Sequence, residues 1–312
     1  LPHCIRVKGN GVFFAGDPVV CKKLSGWKKE FSPQSGGIFR MQHFSTSPIE
    51  MVSSPWRNRS LILALTKREI VGRYRGSFLG LFWSFFNPLF MLAVYTFVFS
   101  VVFRAKWGGG NGSKTEFALI LFAGMIVFNL FAECFTRAPG LILCNVNYVK
   151  KVVFPLEILP WVVLGSAMFH ALVSIAVWFI AYLIFFGLPH LTMFFLPVVF
   201  LPLCLFVLGL SWALASLGVF LRDISQIVGI LVTVFMFLSP IFYPVSALPE
   251  AYRTVLYLNP LLPAINQARE VMYFGHTPNW TMLGCYYLGM SIVCWMGFAW
   301  FQKTRKGFAD VL

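Results

Sequence analysis

Charge is scarce in this sequence, and acidic charge most of all: Asp and Glu together number 11, against 25 Lys and Arg, in 312 residues. Whole stretches go without either sign, namely Gly76–Phe103, Phe117–Ala132, Ile158–Leu221, Ile224–Pro249 and Val271–Gln302. Within the expected spans the only acidic residue is Glu133, with Glu157 and Asp223 at span ends. Paired carboxylates for acid–base work, or an activated Ser or Cys beside a base, cannot be assembled from sequence neighbours. A proton-coupled carrier would carry more buried ionisable groups. The seven cysteines (Cys4, Cys21, Cys134, Cys144, Cys204, Cys285, Cys294) contain no CxxC pair and read as small apolar packing residues. The five histidines show no ligand spacing. His170 lies inside a long apolar run, where it is either functional or a neutral partner of a neighbouring helix. A triphosphate loop is also missing. Gly108–Thr115 resembles one, but Ser113 separates Gly112 from Lys114, and the segment joins two apolar runs rather than a strand and a helix. The N-x-S/T triplets at Asn58, Asn111 and Asn279 carry no weight by themselves.

What is present is apolar length. Hydrophobic residues make up 58% of the chain, above the roughly 45–50% of soluble domains. A helix crosses the hydrocarbon core with roughly 20 mainly apolar residues, so Ile158–Leu221 is too long for one crossing. It breaks at Gly187-Leu188-Pro189-His190, a turn-forming cluster. The second run extends through Glu133 to Phe135. The expectation is an all-α polytopic membrane protein with six spans near 78–103, 117–135, 158–186, 191–221, 224–243 and 279–302. The net charge of +14 is gathered at span ends rather than on a soluble module, which argues against a nucleic-acid partner. Arg57, Arg59, Lys67, Arg68, Arg73, Arg75, Arg137, Lys150, Lys151, Arg222, Lys303, Arg305 and Lys306 fall on one side. Arg104, Lys106, Lys114, Arg253 and Arg269 fall on the other. The positive-inside rule then places both termini in the cytoplasm.

The segments outside the spans are uneven. Residues 1–54 have no helical period and read as a disordered or extraneous tail, with the membrane domain running over 55–312. Pro55–Arg75 mixes Leu61–Leu65 with basic residues and reads as an interfacial helix, with Trp56, Leu63, Ile70 and Tyr74 on one face. Between spans two and three, Pro139 can start a short helix with Leu141, Asn145 and Tyr148 on one face. Such a helix is either a lever for a soluble partner or an ordinary loop helix. Before the last span, Pro249–Leu258 and Pro263–Phe274 read as two weak helices parted by Asn259-Pro260, re-entrant or interfacial. Aromatics, 18% of the chain, crowd into Phe82–Phe86, Phe97–Phe103 and Phe242–Tyr243. Most belong to lipid or packing contacts, with a minority left for a sugar track.

Several runs resemble a known family. YRGSFLGLFW (74–83) followed by NPL (87–89), KKVVFPLEILP (150–160), LRDISQ (221–226), SPIFYP (239–244), LPE (248–250), LNPL (258–261) and FADV (308–311) are similar, in order, to ABC-2 type polysaccharide exporter permeases. Leu156 and Asn266 depart from the family pattern. The resemblance implies the permease half of an ATP-driven exporter in the bacterial inner membrane, carrying a lipid-linked O-antigen, capsular polysaccharide or teichoic acid. It implies external gate helices before the last span, a second copy of the chain, and a separate cytoplasmic ATPase that holds ATP and magnesium, with no cofactor here. Coupling to that ATPase would fall to Leu141, Asn145, Tyr148, Arg222 and Asp223. Contacts to headgroups or a lipid pyrophosphate would fall to Arg68, Arg73, Arg75, Lys150 and Lys151. Channel or gate candidates are Trp83, Phe86, Phe242, Tyr243, Asn259 and Pro260. The alternatives are a permease for a smaller amphipath, such as a drug or glycolipid, and an intramembrane transferase.

Overall fold

A computed structural model describes residues 45–98, 114–150, 154–245 and 249–312, and among these no strand occurs. The first helix, α1 (Pro48–Arg57), is set by Ser47, whose hydroxyl accepts from the Ile49 N–H at 3.2 Å, and by proline in the first turn. It begins seven residues before the Pro55 at which the sequence reading starts the domain. That boundary moves because Ser54 is fully buried on Glu157, and the Thr46 carbonyl accepts from Trp295 Nε1 at 3.1 Å. Asn58 separates it from the next helix, its amide donating back to the Ser54 carbonyl at 2.9 Å, and α2 (Arg59–Tyr74) starts at the following residue. The single apolar face expected for Trp56, Leu63, Ile70 and Tyr74 is therefore split. Trp56 and Leu63 point outward, while Ile70 and Tyr74 are half-buried.

Gly76 and Gly80 adopt φ of +85° and +51° between α2 and the first span. L side chains rarely occupy that region, so the pair forms a sharp corner before α3 (Trp83–Tyr95). The rest of the expected first span, 99–103, and the loop 108–113 lie outside the described residues. The next helix, α4 (Lys114–Arg137), is the centre of the molecule: nearly every side chain from Phe117 to Phe135 is buried. It packs against α3, α6 (Leu159–Phe186), α7 (Leu196–Phe220) and α8 (Ile224–Leu238). Pro160 and Pro197 sit in first turns, and Gly187 (φ +88°) ends α6 in the predicted hairpin break.

Among the described residues five helices, with their flanking turns, are long and apolar enough to span a bilayer: Gly80–Val98, Thr115–Gly140, Leu156–Phe186, Leu191–Phe220 and Trp280–Val311. The remaining apolar helix, α8, is shorter than its expected 224–243. It ends at Leu238 because Pro240 forces Ser239 into an extended conformation (ψ 143°). Fifteen residues reach only about 22 Å at 1.5 Å each, so Phe242 and Tyr243 belong to the turn beyond rather than to a span. This is an all-α polytopic membrane protein.

Two features fix the ends of the bundle. At one end Ser54, Glu157 and Arg305 meet, gathering α1, the start of α6 and the last turns of α11 (Trp280–Thr304). At the other lie α9 (Glu250–Tyr257) and α10 (Leu262–Arg269), which is followed by a π-helical turn over Glu270–Phe274. These are the two weak helices read from the sequence, parted at Asn259-Pro260 as expected. Helices α7 and α11 cross most intimately, backbone on backbone, at Gly209 and Gly297. A Cβ on Gly297 would strike the Gly209 carbonyl well inside van der Waals contact. Gly297→Val should therefore cost about 3 kcal/mol, seen as a lower midpoint of thermal unfolding in detergent. Gly284→Ala, on the same helix with open space around it, should melt like the parent. Equal melting of both variants would mean that the two helices do not touch at these glycines.

Candidate functional site

The last turn of α2, the basic end of α4 and the middle of α6 converge on one polar cluster. Arg73 Nη2 donates to Glu133 Oε1 at 2.5 Å, and His170 Nδ1 lies 2.9 Å from Glu133 Oε2. His170 Nε2 faces the Tyr74 hydroxyl at 3.2 Å. Arg137, one turn beyond Glu133, approaches the same carboxylate at 3.5 Å and pairs with Glu69 of α2. A carboxylate only accepts, so the shorter Nδ1 contact to Glu133 calls for a proton on Nδ1, which leaves Nε2 of a neutral ring to accept from Tyr74 and makes the 3.2 Å approach of Arg73 Nη1 to Nδ1 a contact rather than a bond. Burial pushes the Tyr74 phenol above its usual range, with Arg73 opposing the shift, so the hydroxyl remains a donor. His170 is hydrogen-bonded between α2 and α4, as the partnered reading expects.

This cluster lines one side of a cleft of about 440 Å³ between α3, α4 and α6. Helix α4 contributes Asn129 and Glu133, four residues apart on the same face and therefore adjacent. Helix α3 supplies Ser84, Asn87 and Tyr95. Asn87 and Asn129 are exposed, and their side-chain amides make no hydrogen bond among the described residues. At bilayer depth a lipid tail offers amides nothing, so they require water, substrate or a second protein chain. Sequence reading passed over Asn129 and Glu69. The available signal was the four-residue spacing from Asn129 to Glu133 and from Glu133 to Arg137 on an otherwise apolar helix.

The predicted basic contacts scatter. Arg73 is in the cluster, its side chain 38% exposed. Arg75 is exposed, and Arg68 donates to the Tyr148 hydroxyl at 3.3 Å. The Lys150 side chain and Lys151 lie outside the described residues.

The expected lever between α4 and α6 is not one continuous helix. It breaks into 3-10 turns over Ala138–Gly140 and Leu143–Asn145 and a single α turn, α5 (Val146–Lys150). Pro139 is buried against Gly218 of α7, which turns Leu141 inward to 8% exposure. Asn145 donates to the Leu141 carbonyl at 2.8 Å, and Tyr148 stacks on Phe154 at 4.3 Å. Leu141, Asn145 and Tyr148 therefore do not form the shared outward face expected of them. Leu143, Cys144 and Asn147 point out instead. Arg222 and Asp223 are exposed at the same end, between α7 and α8.

At the opposite end the gate candidates include structural pins. Asn259 is buried, donates to Ser239 Oγ at 2.9 Å and accepts from the Leu261 N–H. The Pro260 carbonyl accepts from Tyr286 at 2.9 Å. Phe242 and Tyr243 are half-buried, with the Tyr243 hydroxyl donating to the Phe237 carbonyl. Trp83 is exposed and Phe86 half-buried on α3. Arg269, one of the five basic residues set on the side opposite the termini, is 3% exposed. It donates to the carbonyls of Ile120 (3.1 Å), Pro240 (2.6 Å) and Ile241 (2.7 Å).

Residues 60–273 match the model of the ABC-2 type transporter family. The chain belongs to this family. An O-antigen export system permease protein, RfbA, of Myxococcus xanthus is 28% identical over 264 residues, covering 84% of this chain and 99% of that protein. An RfbA of Klebsiella pneumoniae is 28% identical over 254 residues, 81% and 95% of the two chains. The polysialic acid transport protein KpsM of Escherichia coli is 24% identical over 254 residues, 78% and 92%. The ABC-2 match begins within α2 and ends in the turn after α10, so it takes in all three helices of the polar cluster and the Arg269 pin.

Proposed function

We propose that this ABC-2 chain is the permease subunit of an ATP-driven exporter of a lipid-linked polysaccharide, of the O-antigen or capsule kind, across the inner membrane. The observation that carries the reading is the polar cleft of α3, α4 and α6. It places hydrogen-bonding side chains, two of them amides without a partner among the described residues, at bilayer depth along the most buried helix described. Such a surface suits a hydroxyl-rich chain passing beside it, and suits a drug-like amphipath poorly. The named roles of RfbA and KpsM support the same substrate class. ATP hydrolysis then belongs to a separate cytoplasmic ATPase, and two copies of this chain supply the opposing walls of the path. Removing the gene should abolish surface glycan and leave lipid-linked glycan in the inner leaflet. Normal surface glycan in its absence would overturn the reading.

In this scheme the basic end of the bundle faces the cytoplasm. The ATPase docks on Leu143, Cys144 and Asn147, with Tyr148 at the margin and Arg222-Asp223 alongside. Asn147→Trp enlarges an exposed position at which a docked partner must fit closely, and is expected to reduce both export and ATPase pull-down at least about tenfold. Chain abundance in the membrane should not change. Unchanged pull-down would remove this face from the interface.

A further inference from the structure

A second carboxylate lies apart from the polar cleft, at the other end of α4. Glu116, in the first turn of that helix, is 4% exposed, and its Oε2 is buried with no hydrogen-bond partner among the described residues. A buried carboxylate oxygen without a donor is costly, so its presence calls for a reason. The group that faces it is the Tyr273 phenol. Burial, and then the charge of Glu116, push that phenol above its usual range, so the hydroxyl remains a donor. Tyr273 belongs to the π-helical turn over Glu270–Phe274, and single turns of this kind occur mostly at functional sites. This one is held from both sides. Arg269 pins the residue before it. Gly275 follows at φ +72°, with the His190 ring seated where a Cβ would stand 2.6 Å away. Thr192 donates to the Val271 carbonyl inside the turn at 2.9 Å.

Aromatic rings surround the pair. Tyr182 and Phe186 meet Tyr273 edge-on at 5.9 and 5.8 Å, and Tyr182 stacks on the buried Trp178 at 4.9 Å. Phe186 and His190 are exposed, while Tyr273 and Phe274 are half-buried, so the group opens to the surface at the end away from the basic one. We propose that Glu116 and Tyr273 form a saccharide site at the outer end of the bundle, with Tyr273 covering Glu116 in the empty chain and both side chains meeting the neighbouring hydroxyls of one sugar residue when it binds. The phenol supplies a donor and the carboxylate a vacant acceptor, and a sugar hydroxyl both donates and accepts. An ammonium group only donates, and would leave the phenol proton without use. The rings give the apolar face of the sugar a surface to rest on. A π turn holds one residue more than the α-helix it replaces, so local rewinding moves Tyr273 aside while the Arg269 pin keeps α10 in place. This inference rests on the reading of the substrate as a glycan, and its test does not depend on export.

The test is a saturation-transfer NMR titration of the purified full-length chain in phosphatidylcholine nanodiscs. The probe is the lipid-free oligosaccharide released by mild acid from the surface glycan of the same cells, with phosphoethanolamine as a separate arm. Glu116→Gln keeps the shape and exchanges a charge-assisted bond for a neutral one of about half the strength, so the oligosaccharide should bind about tenfold more weakly. Tyr273→Phe, which keeps the ring, should weaken binding at least threefold, and Tyr273→Ala more than Tyr273→Phe. Glu250→Gln, on α9 with its side chain 93% exposed, should bind like the parent. Unchanged affinity in a Glu116→Gln chain that remains monodisperse would sink the proposal, as would unchanged affinity in Tyr273→Phe. Phosphoethanolamine binding as tightly as the oligosaccharide would make this an ammonium site and overturn the saccharide assignment. If the parent chain binds no oligosaccharide while removal of the gene still abolishes surface glycan, the site falls and the export assignment stands. Binding that Glu116→Gln weakens, in a chain dispensable for surface glycan, would leave the site standing and remove only the export assignment.

Discussion

Arg269→Met should leave a chain that inserts but does not hold α9 and α10, unfolding in detergent many degrees below the parent. The reason is the geometry of one side chain. The Arg269 guanidinium reaches from α10 to the Ile120 carbonyl of α4 and to the Pro240 and Ile241 carbonyls after α8, all three bonds in a buried setting. Those last two carbonyls lie in the non-helical turn after α8, and no backbone N–H among the described residues donates to them. Methionine fills similar volume and donates nothing. Leaving three buried acceptors unpaired costs about 1–3 kcal/mol each, so a loss of about 3–9 kcal/mol is expected. Lysine offers three donors but not the planar fork, and should recover part of this. Gly124→Ala should show a smaller defect of the same kind, because the new Cβ would stand 2.8 Å from Arg269 Nη2, which its bonds hold in place. The measurement is the thermal midpoint by fluorescence-detected size exclusion, followed by protease access to 249–278. A methionine variant as stable as the parent would show that the pin is dispensable.

Glu157→Leu should free both ends of the described chain at once. Its Oε1 accepts from Ser54 at 2.9 Å, its Oε2 pairs with Arg305 at 2.6 Å, and its backbone carbonyl accepts from Trp212 Nε1 at 3.0 Å. Removing one member of a buried pair leaves the other charge uncompensated, at about 3–5 kcal/mol. Arg305 keeps its bond to the Phe154 carbonyl at 2.9 Å, which limits the damage at that end. Trypsin should then cut after Lys303, Arg305 or Lys306 in the variant under conditions that spare the parent. The double variant Glu157→Leu with Arg305→Met should be less unstable than the sum of the two single changes, since neither charge is then stranded. Strict additivity in that cycle would mean that the two side chains do not stabilise each other.

The separation between what was legible and what was not follows physical range. Helix positions were readable because they depend on local properties: apolar length for α4, α6, α7 and α11, proline at first turns, and the Gly187 break. The paired helices before the last span were readable for the same reason. The end of α8 was misplaced by five residues, although Ser239-Pro240 stood in plain view, because apolar character continued past the point where proline forbids helix. The lever between α4 and α6 failed differently. Leu141, Asn145 and Tyr148 share a face only on an unbroken helix, and Pro139 packing on Gly218 breaks it. No local pattern reports that Gly218 lies there. Arg269 is the clearest case. In sequence it is a basic residue in a polar stretch, and only the convergence of α4, α8 and α10 makes it a buried pin.

The sequence by itself determined that this chain is a bundle of membrane helices and which segments form it. Crossing hydrocarbon demands long uncharged runs and internally satisfied backbone, and both requirements are written residue by residue. The tertiary structure alone decided which rare polar groups meet. Glu133, His170, Arg73 and Tyr74 lie as far as 97 positions apart, and Arg269 finds Ile120 across 149. In a chain so poor in charge, each such group must find a partner or face the cleft. That choice is made by helix packing, over distances that composition and periodicity do not encode.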